Sequence, residues 1–345
     1  MQSMTREDIT DLSRAALSQW FAGENEAPYR AAQVLRWIYQ RGADSFDAMT
    51  DIRKDLRRKI SERFTIGRPE ILDTAASADG SRKFVFGLLD GKRIETVLIP
   101  ERDHYTLCVS SQVGCAQGCA FCRTGAMGFS RNLKASEIVA QVRAVRFSLP
   151  DPERLTNLVF MGMGEPLANF ENVRDAVNLL TDPEVGMKFA ARRVTVSTVG
   201  LAPKIAALGR ETRARLAVSL NAADDETRSR IMPVNRAYPI ARLLEALKGF
   251  PLKTGKRITF EYVLLSGVND SPADARNLVR ILSSIPAKIN LIPFNPYEGS
   301  PFERPSEDRI AAFHDFLIEK HFTAIIRRSK GPDIAAACGQ LAAGS

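Results

Sequence analysis

The sequence predicts an α/β protein: an open, partial (β/α)6 barrel preceded by a small helical region and a β-hairpin linker. Three observations predict it. From residue 105 onward, apolar strand-like runs alternate with amphipathic helical stretches, the pattern of a parallel sheet covered by helices. Before that, residues 1–68 carry helical periodicity, and residues 69–104 switch to β-rich runs around a tight turn. Finally, 345 residues with 45% hydrophobic content can bury one large core and a smaller appendage.

In the helical region Ala31, Val34, Leu35, Ile38 and Tyr39 recur at three- and four-residue steps, lining one face and leaving Arg36 and Gln40 outside. A second helix turns Ile52, Leu56 and Ile60 inward, so its basic residues point largely to solvent. Residues 83–89 and 92–99 are β-rich, and Asp90-Gly91 between them suits a tight hairpin. Barrel strands are expected at 106–110, 157–162, 194–197, 216–220, 258–265, 289–294 and 323–327. Helices are expected near 136–147, 170–180, 202–209, 240–249, 272–284 and 306–320. About six such units suit an open barrel better than a closed eight-fold one, and ligands then sit at the carboxyl ends of the strands. The barrel is expected over 105–330, and the Gly/Ala-rich residues 331–345 are expected to form a flexible tail. There is no internal repeat or low-complexity tract.

Five cysteines, three of them clustered, do not make a secreted disulfide framework, and a chain that needs reduced thiolates belongs in a reducing compartment, so the expected location is cytoplasmic. Arg6, Glu7, Asp8 and Asp11 stand where a signal peptide needs an apolar stretch, and no run approaches membrane-spanning length, so no membrane association is expected. The formal charge of +8 and a pI near 9.3 favour a polyanionic partner. The clearest concentration is Arg53, Lys54, Arg57, Arg58, Lys59 and Arg63; Arg192 and Arg193 form a smaller group, and Arg327, Arg328 and Lys330 a third. One charge run usually means only a solvated face. Three on a basic protein favour nucleic acid, with the helical region as the expected nucleic-acid grip.

The strongest chemical signal is Cys115, Cys119 and Cys122, three thiols at spacings of four and three. Thiolates are soft donors suited to iron-sulfur clusters or zinc. Structural zinc usually takes two close pairs or four ligands, and no partner pair is visible. A cubane cluster has four irons, so three cysteines leave one open to a small molecule. The spacing resembles the cluster motif of radical S-adenosylmethionine enzymes, where the cofactor's amino and carboxylate groups chelate that iron.

Other candidates lie just after the strands. Beyond the strand near 157–162 come Gly162, Gly164 and Glu165; glycines let backbone approach a ligand, and the carboxylate can accept from an ammonium. Ser197, Ser219-Leu220-Asn221 and Asn295 each stand at or just after the end of a strand, placed for a carboxylate, a ribose and an adenine. Local capping competes for each hydroxyl or amide taken singly. Cys108 leads into the cysteine loop, where a buried inert thiol is the common reading. Cys338 lies on the small-residue tail, either as a packed thiol or as a nucleophile free to swing into a pocket. Glu95, in Arg93-Ile-Glu-Thr-Val97, reads most simply as the solvent face of a strand.

These residues resemble the bacterial RlmN-type radical methyltransferases. The similarity runs from the helical segment 29–39 to the tail 336–341, and its most specific parts are residues 108–115, 160–167 and 289–295 and the Cys338 tail. The resemblance implies a radical SAM barrel that methylates carbon 2 of adenosine in 23S rRNA, at the peptidyl transferase centre, and in tRNA, next to the anticodon. It implies one 4Fe-4S cluster per chain on Cys115, Cys119 and Cys122, and S-adenosyl-L-methionine consumed twice per methylation and held by Gly164, Glu165, Ser197, Ser219, Leu220, Asn221 and Asn295. Carbon 2 of adenine offers no nucleophile to a sulfonium, which is why a radical route is needed. By the same resemblance Cys338 takes a methyl group from one cofactor, a radical from the second activates it, and the resulting carbon radical adds to the base. Glu95 then removes the carbon 2 proton, and Cys108 forms a disulfide with Cys338 to release the RNA. A reducing electron donor such as flavodoxin, and a monomer, complete the expectation.

One departure is visible: the family often has histidine at Asn221. Two alternatives stay open, a related enzyme that methylates carbon 8 of the same ribosomal adenosine and a non-catalytic, zinc-stabilised RNA-binding module. Pro166 after Glu165 matches the carbon 2 group, because the carbon 8 relatives tend to have alanine there.

Overall fold

A computed structural model describes residues 6–342. Three helices, α1 (Arg14–Gly23), α2 (Tyr29–Tyr39) and α3 (Lys54–Arg63), form the N-terminal part. α2 buries the predicted stripe, and α3 turns Leu56 and Ile60 inward. Four of the six cations predicted to face phosphate are paired instead: Arg53 with Glu26, Arg58 with Glu62, Lys59 with Glu24 and Arg63 with Glu7. The field that α3 offers a polyanion is correspondingly reduced. This N-terminal part is fixed to the rest of the chain, since buried Arg143 donates to the Gly67 carbonyl at 2.8 Å and Lys134 reaches Asp11 at 2.6 Å.

A ten-stranded sheet comprises β1 (Glu70–Ala76), β2 (Arg82–Gly87), β3 (Arg93–Pro100), β4 (Tyr105–Cys108), β5 (Leu155–Phe160), β6 (Val194–Thr198), β7 (Arg215–Ser219), β8 (Ile258–Leu264), β9 (Ala287–Pro293) and β10 (Thr323–Ile326), each next to its sequence neighbour. β1 to β4 pair antiparallel and β4 to β10 parallel. The hairpin at Asp90-Gly91 is present, with Gly91 at φ +78°. The linker is nevertheless a three-stranded antiparallel extension of the barrel sheet rather than a lone hairpin. β1 escapes a sequence reading because it is an exposed edge strand without alternation.

Helices α4 (Ala135–Arg146), α5 (Phe170–Thr181), α6 (Ala202–Glu211), α7 (Asp225–Ile231), α8 (Ile240–Lys248), α9 (Pro272–Leu282) and α10 (Glu307–Glu319) join the parallel strands, giving six strand-helix units closed at the edge by β10. α7 is short and polar, and no apolar period announces it. One apolar core runs from Ile9 through the barrel to Leu341. A second cluster, containing Phe121, Ile231, Met232 and Phe294, surrounds the cysteine loop.

Residues 331–342, expected to be flexible, run back over the barrel mouth with many partners. Asp333 accepts from Ser77 Oγ at 2.6 Å, the Gly339 carbonyl from the Arg123 N–H at 2.8 Å, and the Leu341 carbonyl from Thr124 Oγ1 at 2.6 Å. Among the described residues no helix is long and apolar enough to cross a membrane.

Candidate active site

Cys115, Cys119 and Cys122 all line the cavity at the carboxyl ends of the parallel strands, together with Glu165, Ser197, Ser219, Asn221, Asn295 and Cys338. The loop that carries the trio is forced into shape by backbone. Gly114 has φ +74°, and a Cβ there would lie 2.0 Å from the Gly128 carbonyl oxygen. Burial pushes the Cys115 thiol up to about 11 and raises Cys119 and Cys122 as well, and the charge of Cys122 adds to the first two. Three sulfurs that cannot ionise together in a dry pocket suit a cationic metal group that neutralises them. Among the described residues no three His, Cys, Asp or Glu side chains are drawn around one point for a single ion, and the trio instead lines one cavity.

Glu165 comes after the Gly-rich turn that ends β5. Gly164 has φ +99°, and a Cβ on it would fall 2.5 Å from Gln112 Cβ, so only glycine fits. Glu165 is 2% exposed; Oε1 accepts from the Leu167 N–H at 2.9 Å and Oε2 from the Val199 N–H at 2.8 Å. Burial raises its carboxyl to about 7 despite those donors. An arriving ammonium would restore the ionised form.

Along β7 and the residues after it, Ser219 and Asn221 face the cavity, whereas Leu220 belongs to the apolar core, as the two-residue strand period requires. Asn221 has φ +57°, a conformation asparagine tolerates. Its amide is committed to neighbours: Oδ1 accepts from the Val263 N–H at 2.8 Å and Nδ2 donates to Met232 Sδ at 3.3 Å. Asn295 likewise holds the tail, donating from Nδ2 to the Cys338 carbonyl at 3.2 Å and accepting from Ser329.

Glu95 departs from the solvent-face reading. β3 is buried along both faces, so Glu95 is only 3% exposed. Oε1 sits 3.1 Å from Lys83 Nζ, and Oε2 accepts from the Ala342 N–H at 2.8 Å. The carboxylate therefore lies against the same tail that carries Cys338. Cys108 is buried, and burial first and the Cys338 sulfur second push its thiol up to about 12. Cys338 itself is exposed at the cavity wall.

Several contributors carry no local sequence signal. Arg228 is fully buried, and burial pulls it down to about 10. It donates to the carbonyls of Leu220 at 3.0 Å and Val199 at 2.7 Å and to Asn235 Oδ1 at 2.8 Å, pinning the turns after β6 and β7. Arg327, a member of the third basic group in the sequence, lines the lumen and is held protonated chiefly by the nearby Cys338 sulfur. Lys83, within a β-rich run, proves to be the partner of Glu95.

Comparison with known proteins places these features in a family. A family described as the ribosomal RNA large subunit methyltransferase N-terminal domain matches residues 7–66, and the radical SAM superfamily matches residues 109–279. The dual-specificity RNA methyltransferase RlmN of Desulfosudis oleivorans is 53% identical over 98% of this chain and 91% of its own length. That of Geobacter sulfurreducens is 54% identical over 97% of this chain and 91% of its own length. A radical SAM methyltransferase from Sphaerobacter thermophilus, known from its crystal structure, superposes with a TM-score of 0.92 at 46% identity, covering 98% of this chain and 100% of that one.

Proposed function

The chain belongs to the RlmN family of radical SAM methyltransferases, and on that premise we propose that it methylates carbon 2 of adenosine in 23S rRNA and tRNA. The observation that carries this reading is the meeting of three thiols, Glu165 and Cys338 in one cavity. A 4Fe-4S cluster and S-adenosyl-L-methionine bound in this cavity would supply one-electron radical chemistry. Cys115, Cys119 and Cys122 hold the cluster. Glu165 takes the methionyl ammonium, which would keep its carboxylate ionised; Gly164 lets the backbone come close, and Ser197 and Ser219 supply hydroxyls to the carboxylate and ribose. Asn221 and Asn295 shape the same wall through backbone and tail contacts.

Cys338 Sγ accepts the methyl group and then carries the methylene carbon that becomes bonded to the base. Glu95 accepts the carbon 2 proton, with Lys83 Nζ at 3.1 Å stabilising the carboxylate. Attack of the Cys108 thiolate on Cys338 Sγ breaks the bond from that sulfur to the carbon on the base; the electron pair leaves with the carbon, which takes up a proton to become the methyl group, and a Cys108–Cys338 disulfide remains. An external reductant, a small flavoprotein such as flavodoxin, supplies electrons and later reopens the disulfide. The protein acts as a monomer in the cytoplasm.

Mass spectrometry of RNA methylated in vitro tests the reading. Digestion should release 2-methyladenosine. Release of 8-methyladenosine, or of unmodified adenosine alone from an enzyme that cleaves its cofactor, would overturn it.

A further inference from the structure

The same barrel has a second cavity in its lower half and along its open side. The strand period shows how the two connect. On β8, Thr259 lines the lower cavity, Val263 the upper, and Glu261 between them lines both; Met161 and Arg327 also belong to both walls. The lower cavity and the cavity of the cysteines and Cys338 are thus neighbours that share these three side chains as a common boundary.

That rim is strongly basic. Arg192 and Arg193 precede β6, Arg215 opens β7, Lys288 lies low on β9, and Arg328 and Lys330 come after β10. None of these six forms a salt bridge among the described residues, in contrast to the cations of α3, and the acids lining the cavity are Glu101 and Glu261. Inside the lumen, two buried acceptors stand free among the described residues. Glu261, 3% exposed, accepts from Asn290 Nδ2 on Oε1 at 2.8 Å but has no partner on Oε2, and Asn290 has none on Oδ1. A buried acceptor without a donor is unfavourable, so a donor-bearing ligand is favoured there.

We infer that the RNA docks on the lower rim of the barrel, with its phosphates on these unpaired cations, and that the target adenine rises through the lumen until its amino group meets Glu261 Oε2 and Asn290 Oδ1. The inference rests on the RNA methyltransferase reading and deepens it. An exocyclic amine carries two hydrogens and matches two free acceptors, which a purine lacking that amine cannot satisfy. The unpaired rim explains how a base can be turned out of a folded RNA: phosphate contacts offset the cost of unstacking.

The test uses reconstituted, cluster-loaded enzyme and a stem-loop RNA bearing either adenosine or purine riboside at the target position. Methylation of the adenosine RNA by the unaltered enzyme is measured first; its absence sinks the underlying reading and this inference with it. Given that activity, the double variant Arg192→Glu, Arg193→Glu should bind RNA at least about tenfold more weakly, with a salt dependence shallower by about one to two units. Arg58→Glu, Lys59→Glu on α3, both already paired, should change affinity less than about threefold. Glu261→Gln should erase most of the preference for adenosine over purine riboside in kcat/KM, because its amide nitrogen can face the place of the lost acceptor. Iron content and melting temperature identify any variant that has not folded, and for such a variant Arg192→Gln or Glu261→Asp replaces it. Unchanged RNA affinity in the rim variants, or undiminished discrimination in the Glu261 variants, would overturn the inference.

Discussion

The upper end of the lumen is lined with thiols and apolar rings, whereas the lower end is rimmed with unpaired cations and holds polar acceptors. Both ends are built from the same strands, an even number of residues apart on the same faces: Thr195 below and Ser197 above, Lys288 below and Ile292 above. The lesson is that one barrel can keep radical chemistry dry at one mouth while leaving recognition wet at the other. In the upper half, burial raises thiols and a carboxylate, so charge is admitted only with a partner. In the lower half cations stay solvated and ready for phosphate.

The largest effect that separates the two ends is expected from Cys338→Ala. Methyl transfer should fall by on the order of 10^4-fold or more, since the covalent step loses the sulfur that carries the methyl group, while RNA affinity and bound iron stay as they were. An equal loss of RNA binding would show that the tail belongs to recognition and would blur the division. Next in size, Arg228→Met should lower stability by about 3 kcal/mol or more in chemical denaturation, because at least three carbonyl and amide acceptors lose a buried donor. Its damage should centre on the upper mouth, with weaker cofactor binding. Gly164→Ala should cost on the order of 2 kcal/mol through its φ of +99° and its collision with Gln112, and should weaken cofactor binding.

The smallest effect is a pH dependence of the upper end alone. Glu165 must be ionised to take an ammonium, and burial raises it to about 7, so cofactor affinity should climb as pH rises through about 7 and then level off. Stability responds in the opposite sense. A carboxyl raised in the fold contributes fully below its ordinary value near 4.5, and the contribution is lost as pH rises toward about 7. Glu165→Gln should flatten both profiles in calorimetric titrations; profiles unchanged by the substitution would assign the dependence to another group.

Much of the fold was legible because the strand and helix units repeat strong local patterns. All seven expected barrel strands are present within two residues at their starts, and Asp90-Gly91 marks its turn. The cysteine trio was legible for the same reason, since its spacing is local. What local patterns do not encode is which cations pair, what a strand is covered by, and where a tail goes. Glu95 reads as solvent-facing until β3 is known to be an interior strand of a ten-stranded sheet, buried on both faces. Arg327 reads as part of a surface group until the edge strand turns it into the lumen. The tail reads as mobile because its residues are small, yet small residues also let it lie close over the barrel mouth, with Ala336 and Ala337 buried.

The most direct measurement is anaerobic reconstitution with metal and sulfide analysis, spectroscopy and a cofactor-cleavage assay. The account predicts about four irons and four sulfides per chain, a brown chromophore, and reductive cleavage of S-adenosyl-L-methionine, all lost in Cys119→Ala. One tightly held zinc per chain, with no chromophore and no cleavage, would contradict it.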